Sequence, residues 1–317
     1  MAPVVMSFQP SFAPAEIQPG PRVVAIGFFD GVHAGHRAVL AEAVRVAAEL
    51  DVPVAALTFV EHPRTVLRPE DPVPLLSTWD EKRALLRAAG ASEVLGLHFT
   101  SGLSALSPEA FVREVLLQAL GAMHVVVGFN FRFGRAAAGT PDLLGLVAGE
   151  AGVGVTVVPP FMADGVTVSS TAVREAVAAG DVSLAAHLLG RPWQVEGLVV
   201  PGDRRGRELG FPTANVAVPD ERLLPAVGVY VGRARWGSQE ASCVVNLGFR
   251  PTFGGRECRF EVHLLDQDVD LYGQRLETAL LARIRGEQRF GGPDALVERI
   301  RQDVAEAKGL LDLEVTP

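Results

Sequence analysis

The stretch Gly27-Phe28-Phe29-Asp30-Gly31-Val32-His33-Ala34-Gly35-His36 decides how the first half of the chain is read. Ahead of it, Arg22-Val23-Val24-Ala25-Ile26 is apolar and β-branched, the length of a buried strand. Behind it, Arg37 to Leu50 sets Val39, Leu40, Ala43, Val44, Ala47 and Leu50 at helical spacing. The unit is therefore strand, glycine-rich turn, helix. Its histidines fall where the helix begins, and there unpaired N–H groups and the positive end of the dipole favour phosphate. Gly31 and Gly35 carry no Cβ and let backbone approach a ligand. His33 and His36 lie on one side of a first helical turn. Two imidazoles in that place can donate to phosphoryl oxygens as charge develops on them.

Other nucleotide motifs are excluded. The turn is not G-x-G-x-x-G, and the only lysines, Lys82 and Lys308, stand in no G-K-[ST] context. With 317 residues, 48% hydrophobic and 21% charged, the chain has room for two globular domains. A net charge of −8 argues against a general nucleic-acid or acidic-membrane binder. No apolar run reaches spanning length. Cys243 and Cys258 form no metal spacing and no C-x-x-C, so free thiols and a cytoplasmic setting are expected. Residues 1–20 carry no basic residue but prolines at 3, 10, 14 and 19, which predicts a loose lead-in rather than a signal peptide. Oligomeric state is not legible.

Along the chain, strands are expected at 52–60, 94–99, 125–128 and 153–158, alternating with helices at 79–89 and 107–120. In the first of these helices Lys82, Arg83 and Arg87 are read as outward-facing. The second opens on Ser107-Pro108, a serine cap with proline at the first helical position. Such alternation implies a parallel sheet wrapped by helices, with ligands beyond the carboxyl ends of its strands. The histidine turn, the loop at Glu61-His62-Pro63 and the loop Phe129-Asn130-Phe131-Arg132-Phe133-Gly134 all follow strands. The aromatic faces beside Asn130 suit a planar ring, or else pack into the core. Ser169-Ser170-Thr171 starts a further helix with Arg174 in its first turn, either plain capping or a second anion site.

The texture changes near residue 190. Strands at 195–200, 229–234, 242–247, 260–265 and 276–284 predict a small antiparallel barrel, closed by an amphipathic helix over 291–311. Within it, Gly202 to Gly210 is a basic, glycine-rich loop in which Gly206 and Gly210 suit phosphate. The loop runs into Phe211-Pro212-Thr213-Ala214-Asn215. Thr213 and Asn215 face one way and offer hard oxygen ligands of the kind Mg²⁺ accepts. Glu261 alternates with Phe260 and Val262, so it faces outward, either as an ordinary exposed glutamate or as a carboxylate that can accept a hydroxyl proton.

The turn resembles the HxGH nucleotidylyltransferase signature. Taken together, Gly27–His36, His62-Pro63, Gly128–Gly134, Ser169–Arg174, Leu189–Pro192, Gly210–Asn215, Arg250–Phe253, Glu261–Leu265 and Leu271–Gly273 resemble the bifunctional prokaryotic riboflavin kinase/FAD synthetase family. The likeness covers nearly all of the chain after about residue 20. It implies a Rossmann-like nucleotidylyltransferase domain over 21–189 and a riboflavin kinase barrel over 190–317. It implies ATP as co-substrate, Mg²⁺ as cofactor, and riboflavin and FMN as substrates. His33 and His36 would hold ATP phosphates, with Ser169, Ser170, Thr171 and Arg174 around them. His62 and Asn130 would lie near the flavin or the phosphates, with Phe131 on the flavin side. Thr213 and Asn215 would hold the metal–nucleotide, and Glu261 would be the kinase base. Many relatives have Asp where Asn130 stands, and Glu-Pro-His-Pro where this chain has Val60-Glu61-His62-Pro63. Two other readings fit parts of the chain. One is an HxGH enzyme for another phosphoester with a non-catalytic barrel, which the Gly210–Asn215 and Glu261–Leu265 motifs oppose. The other is an inactive flavin-binding regulator, which intact His33, His36, Arg174, Thr213, Asn215 and Glu261 oppose.

Overall fold

The computed structural model describes residues 10–13, 17, 19–202, 205–252 and 255–314, with side chains described except at 13, 205, 249–252, 255–258 and 313–314. Asp203, Arg204 and Phe253 of the expected motifs lie outside these residues, as do the side chains of Arg250 and Cys258. By its internal contacts the chain forms two compact units, Met1–Ser170 and Thr171–Pro317.

In the first unit, β1 (Phe12–Ala13), β2 (Arg22–Ile26), β3 (Val54–Phe59), β4 (Glu93–Leu97), β5 (Ala122–Gly128) and β6 (Gly154–Val158) form one sheet in the order β1-β4-β3-β2-β5-β6. All neighbours from β4 to β6 pair in parallel. Both faces are covered, which explains the unbroken apolar run of β2. Val24 and Ile26 enter one core with Leu57, Leu116 and Val125, while Val23 and Ala25 enter another with Leu40, Leu86 and Val126. The latter is roofed by α1 (Ala34–Leu50) and α3 (Trp79–Ala88). Helix α1 begins three residues before the expected start and buries Val46, leaving Val44 exposed. The chain leaves β2 towards β3 and leaves β5 towards β6, in opposite directions, so the crevice of the sheet opens at the carboxyl ends of β2 and β5.

Three expectations are corrected. The lead-in is not loose at Phe12–Ala13, which pairs antiparallel with Leu97 and Gly96. Strand β4 would otherwise be an open edge, and Phe12 fills the apolar cluster beside it. The helix after Ser107 is α-helical only over Pro108–Ala110 and runs on as a π-helix over Phe111–Ala119, burying Phe111, Val112, Val115 and Leu116. Lys82 does not face outward; it is 2% exposed.

In the second unit, α7 (Ser170–Ala179) and α8 (Val182–Leu189) precede the strands β9 (Trp193–Val200), β10 (Ala214–Ala217), β11 (Gly228–Trp236), β12 (Gln239–Thr252), β13 (Gly255–Leu264) and β14 (Arg275–Arg285). The strands close into an antiparallel barrel in the order β10-β13-β12-β11-β14-β9. The alternating strands put Phe260, Val262 and Leu264 inside. Outside, α10 (Pro293–Glu314) covers Val229, Val231 and Val244 with Ala307 and Leu311. A buried ion cluster latches it there: Asp303 accepts from Arg285 at 2.7 Å and pairs with Arg299 at 3.0 Å.

The two units divide between Ser170 and Thr171, and α8 packs on the barrel. Helix α8 lies on β14 and β9 and buries Val182, Ala185, Leu188 and Leu189. Ser183 Oγ donates to Leu281 O at 3.2 Å. A fragment from 171 onward is therefore expected to be more stable than one from 190 onward. Each fully buried leucine is worth about 1.5–3 kcal/mol, so the shorter fragment should melt at clearly lower urea. Equal midpoints would mean that α7 and α8 contribute nothing to the barrel.

Candidate active sites

The turn after β2 is held from below. Phe29 has φ 53°, Gly31 74° and Val32 40°, a tight reversal that places Asp30 inside the protein. The Asp30 carboxylate accepts from Leu76 N at 2.9 Å, Ser77 N at 3.1 Å and Ser77 Oγ at 3.2 Å. Gly31 N–H in turn donates to Ser77 Oγ at 3.0 Å. Gly31 thus shapes the turn, and its amide is engaged by protein. Ser170 Oγ donates to Asp30 O at 3.1 Å, which brings the serine motif to the same turn. Thr171 and Arg174, in the first turn of α7, fall in the second unit.

His33 is the N-cap of α1. Its Nδ1 accepts from His36 N at 3.2 Å, so in the neutral ring the proton sits on Nε2. The rings of His33 and His36 stack with centroids 3.6 Å apart, and Phe29 meets His36 edge-on at 5.2 Å. A Cβ on Gly35 would press on the His33 ring at 3.2 Å.

His62 repeats the device. Capping the short helix α2 (Pro63–Leu67), its Nδ1 accepts from Arg64 N at 3.0 Å, which puts the proton of the neutral ring on Nε2. The Phe28 ring meets it edge-on at 4.5 Å, which joins the His62 loop to the phosphate turn. The unusual Glu61 anchors this loop to the end of β4, accepting from His98 Nδ1 at 2.7 Å and Phe99 N at 3.1 Å. Burial opposes its ionisation, but these bonds outweigh burial and hold the carboxyl below the usual range. Asn130 is exposed at the mouth of β5. The Phe131 ring, however, stacks on Phe133 at 5.4 Å and packs against the core, so the exposed ring of that loop is Phe129.

The barrel site follows from register. Asn215 on β10 and Asn246 on β12 both lie opposite Glu261 on β13, so three polar side chains stand side by side on adjacent strands. Asn246 Nδ2 donates to Glu261 Oε2 at 3.3 Å, and Arg259 lies 3.7 Å from Oε1. They line a cavity of about 500 Å³ shared with Thr213, Gly206 and the Leu296 and Ile300 stripe of α10. Glu261 faces this cavity rather than open solvent. His263 donates Nδ1–H to Pro212 O at 2.8 Å, pinning the Thr213 turn to β13. Thr213 also lines a second cavity of about 220 Å³ with Arg207 and Tyr272. Gly210, with φ 85°, ends the short helix α9 (Arg205–Glu208) that leads to this turn. Lys82, Phe28, Asn246, Arg259 and His263 were not singled out from sequence. Register could have found Asn246, but only packing reveals Lys82.

A parallel sheet with a histidine-bearing turn at a helix start, followed by a closed barrel with a carboxylate-lined cavity, is the architecture of a two-domain nucleotide-dependent transferase. Comparison with known proteins agrees. The FAD synthetase family model matches residues 15–172 and the riboflavin kinase model residues 189–311. The chain is 40% identical to a bifunctional riboflavin kinase/FMN adenylyltransferase of Pseudomonas fluorescens, covering 91% of this chain and 92% of that protein. It is 35% identical to the Bacillus subtilis enzyme of the same description, over 90% and 91% of the two chains. A crystal structure described as a macrolide-efflux protein from Streptococcus pneumoniae superposes with a TM-score of 0.86 at 32% identity, covering 94% of this chain and 97% of that one. Among the described residues, no helix is long and apolar enough to cross a membrane. The chain belongs to the bifunctional riboflavin kinase/FMN adenylyltransferase family, and it is an enzyme of flavin nucleotide synthesis.

Asp30→Ala would leave the buried amides of Leu76 and Ser77 without their acceptor. At about 1–3 kcal/mol per orphaned group, the first unit should lose roughly 3–5 kcal/mol, read as a lower urea midpoint. An unchanged midpoint would show that the turn does not depend on Asp30.

Proposed function

We propose that the first unit transfers AMP from ATP to FMN, and that the second transfers the ATP γ-phosphate to the 5′-hydroxyl of riboflavin. The observation that carries the first assignment is the tautomer set by α1: His33 accepts at Nδ1 and so presents Nε2–H. An oxygen of the FMN phosphate attacks the α-phosphorus, and the bond to the pyrophosphate oxygen breaks. His33 and His36 donate to the phosphate oxygens as charge shifts to the leaving pyrophosphate. Gly35 lets the nucleotide approach α1, while Gly31 keeps the turn open. Ser169, Ser170, Thr171 and Arg174 keep the phosphate-binding assignment their motif gives them. His62, through Nε2–H, and Asn130 serve the flavin phosphate side, and Phe129 rather than Phe131 offers an open ring face to the flavin.

In the barrel, the larger cavity takes riboflavin and the smaller one the nucleotide phosphates, with Thr213 at their junction. Glu261 accepts the 5′-hydroxyl proton as that oxygen attacks the γ-phosphorus and ADP leaves. Asn246 and Arg259 hold the carboxylate in place. A magnesium ion fits at Thr213 and Asn215: the donors are hard oxygens, and the cradle is one that side chains would fill. A Cβ on Gly202 would run into the Asn215 side chain, and one on Gly206 would lie 2.5 Å from Phe211 O and 3.4 Å from Thr213 Oγ1. Bound there, the ion would neutralise charge on the transferring phosphate. Gly206 and Gly210 let the loop close over the nucleotide. Dependence on ATP and the free, buried Cys243 are consistent with work in the cytoplasm.

Two mutants separate the reactions. Glu261→Gln keeps shape and removes the proton acceptor, so riboflavin phosphorylation should fall about 10²–10⁴-fold while FAD formation from supplied FMN stays at the parent level. His36→Ala should cut FAD formation by on the order of 10²-fold and let FMN accumulate from riboflavin. Chromatography of the flavins reads both, and loss of both reactions in either mutant would contradict the division.

A further inference from the structure

Lys82, from the first turns of α3, reaches the carboxyl ends of the two central strands. Its Nζ donates to Phe59 O, at the last residue of β3, at 3.0 Å, and to Phe28 O, just beyond β2, at 3.4 Å. Phe28 O also accepts from Thr58 Oγ1 at 2.8 Å. The ammonium stands 4.3 Å from the centre of the Phe28 ring and 5.8 Å from that of Trp79. Among the described residues Lys82 forms no ion pair; Asp30 and Glu61 act on it only at longer range. Phe28 opens the turn that ends at His33 and touches His62 with its ring.

A buried ammonium with no carboxylate in contact is unfavourable to stability. Burial pushes its pKa down to about 8. An apolar side chain of this length would fill the same space without that penalty. The position thus retains a charge that packing does not need, beside a turn built for phosphate.

We propose that Lys82 is a positioning residue for adenylyl transfer: it fixes Phe28 between the His33 turn and His62, and its positive charge draws the ATP polyphosphate to that crevice. This rests on the assignment of the His33–His36 turn to adenylyl transfer. The two contributions separate with pH. A neutral amine still has hydrogens for both carbonyls, so deprotonation removes the charge alone, whereas Lys82→Met removes charge and bonds together. The charged groups that act on it are Asp30 in the turn and Glu61 beyond β3, and His62 lies against the same Phe28 ring. Because the folded pKa lies below the unfolded lysine value of about 10.4, the first unit should gain stability as pH rises from about 8 towards that value. Affinity for ATP in the adenylyl reaction should fall over the same interval, so stability and activity carry opposite slopes.

The test uses the full-length protein and two assays between pH 6.5 and roughly 9.5, a window spanning the shifted lysine: FMN with ATP, and riboflavin with ATP as the internal control. In the parent, the KM for ATP in FAD formation should rise several-fold above about pH 8 with a smaller change in kcat. In Lys82→Met, kcat/KM for FAD formation should be at least about tenfold lower at pH 7, without the alkaline limb, and riboflavin phosphorylation should match the parent. Lys82→Met at the parental rate, or with the parental alkaline limb, overturns the proposal. If that variant does not fold, the parent's own profile decides, and a flat KM for ATP overturns it. FAD formation that survives His36→Ala would instead overturn the assignment of the turn, whatever Lys82→Met does.

Discussion

The buried carboxylate of Asp30 holds the first catalytic unit in shape. It belongs to a turn in which three of four residues have positive φ, Phe29, Gly31 and Val32. Two of these are not glycine, and such backbone persists only where its surroundings over-determine it. The surroundings here are two amides and a hydroxyl from Leu76 and Ser77, converging on one side chain. That convergence ties the loop before α3 to the turn before α1. Lys82 then enters from α3 at the correct depth, and His33 caps α1 with its Nδ1 turned inward. The turn that satisfies the Asp30 carboxylate therefore leads directly into the residue whose tautomer the start of α1 sets.

The barrel obeys a different constraint. In a closed antiparallel sheet every residue has a partner on each side, so polar groups on the outer face line up across strands by register alone. Glu261 stands between Asn215 and Asn246 for that reason, and no loop is needed to bring them together. What the register cannot supply is shelter from water. Helix α10 provides it, and the Arg285–Asp303–Arg299 cluster holds that helix where Leu296 and Ile300 form the opposite wall. A buried ion cluster contributes little net stability, but it sets the position of the helix, and the cavity depends on that position.

How much of this was legible in the sequence follows from where each signal lies. Strand β2, the cap at Ser107 and the alternation around Glu261 were readable because the periodicity of burial is local. The histidines were readable because a helix start and two glycines flank them. Lys82 was misread because its helix shows polar residues at positions 80–83 and nothing local distinguishes the one that points inward. Phe12 was lost in a proline-rich lead-in, since its partner is an edge strand over eighty residues on. Phe131 and Phe129 carry the same local pattern, and only the position of Phe133 and Phe111 assigns one ring to the core and the other to solvent. The end of the first unit was drawn at a change of strand texture. Contacts group α7 and α8 with the barrel strands, and helices, unlike strands, do not advertise which sheet they cover, while the riboflavin kinase match itself begins at 189.

Neither reaction needs a covalent enzyme intermediate, and the residues reflect that. Phosphoryl and adenylyl transfer are accelerated by fixing donors where charge will appear, so the demand falls on rigidity. In the first unit rigidity comes from side chains that bind backbone groups: buried Asp30 for the turn, half-exposed Glu61 for the His62 loop, buried Lys82 for the ends of β2 and β3. In the second it comes from ladder hydrogen bonds that the fold makes in any case. Of Asp30, Glu61 and Lys82, only the Lys82 ammonium is a buried charge that an uncharged side chain would relieve; the Asp30 carboxylate is held by the amides it satisfies. In the role proposed for Lys82, stability and catalysis pull against each other, whereas in the barrel the packing that stabilises the fold also aligns Glu261 with its neighbours.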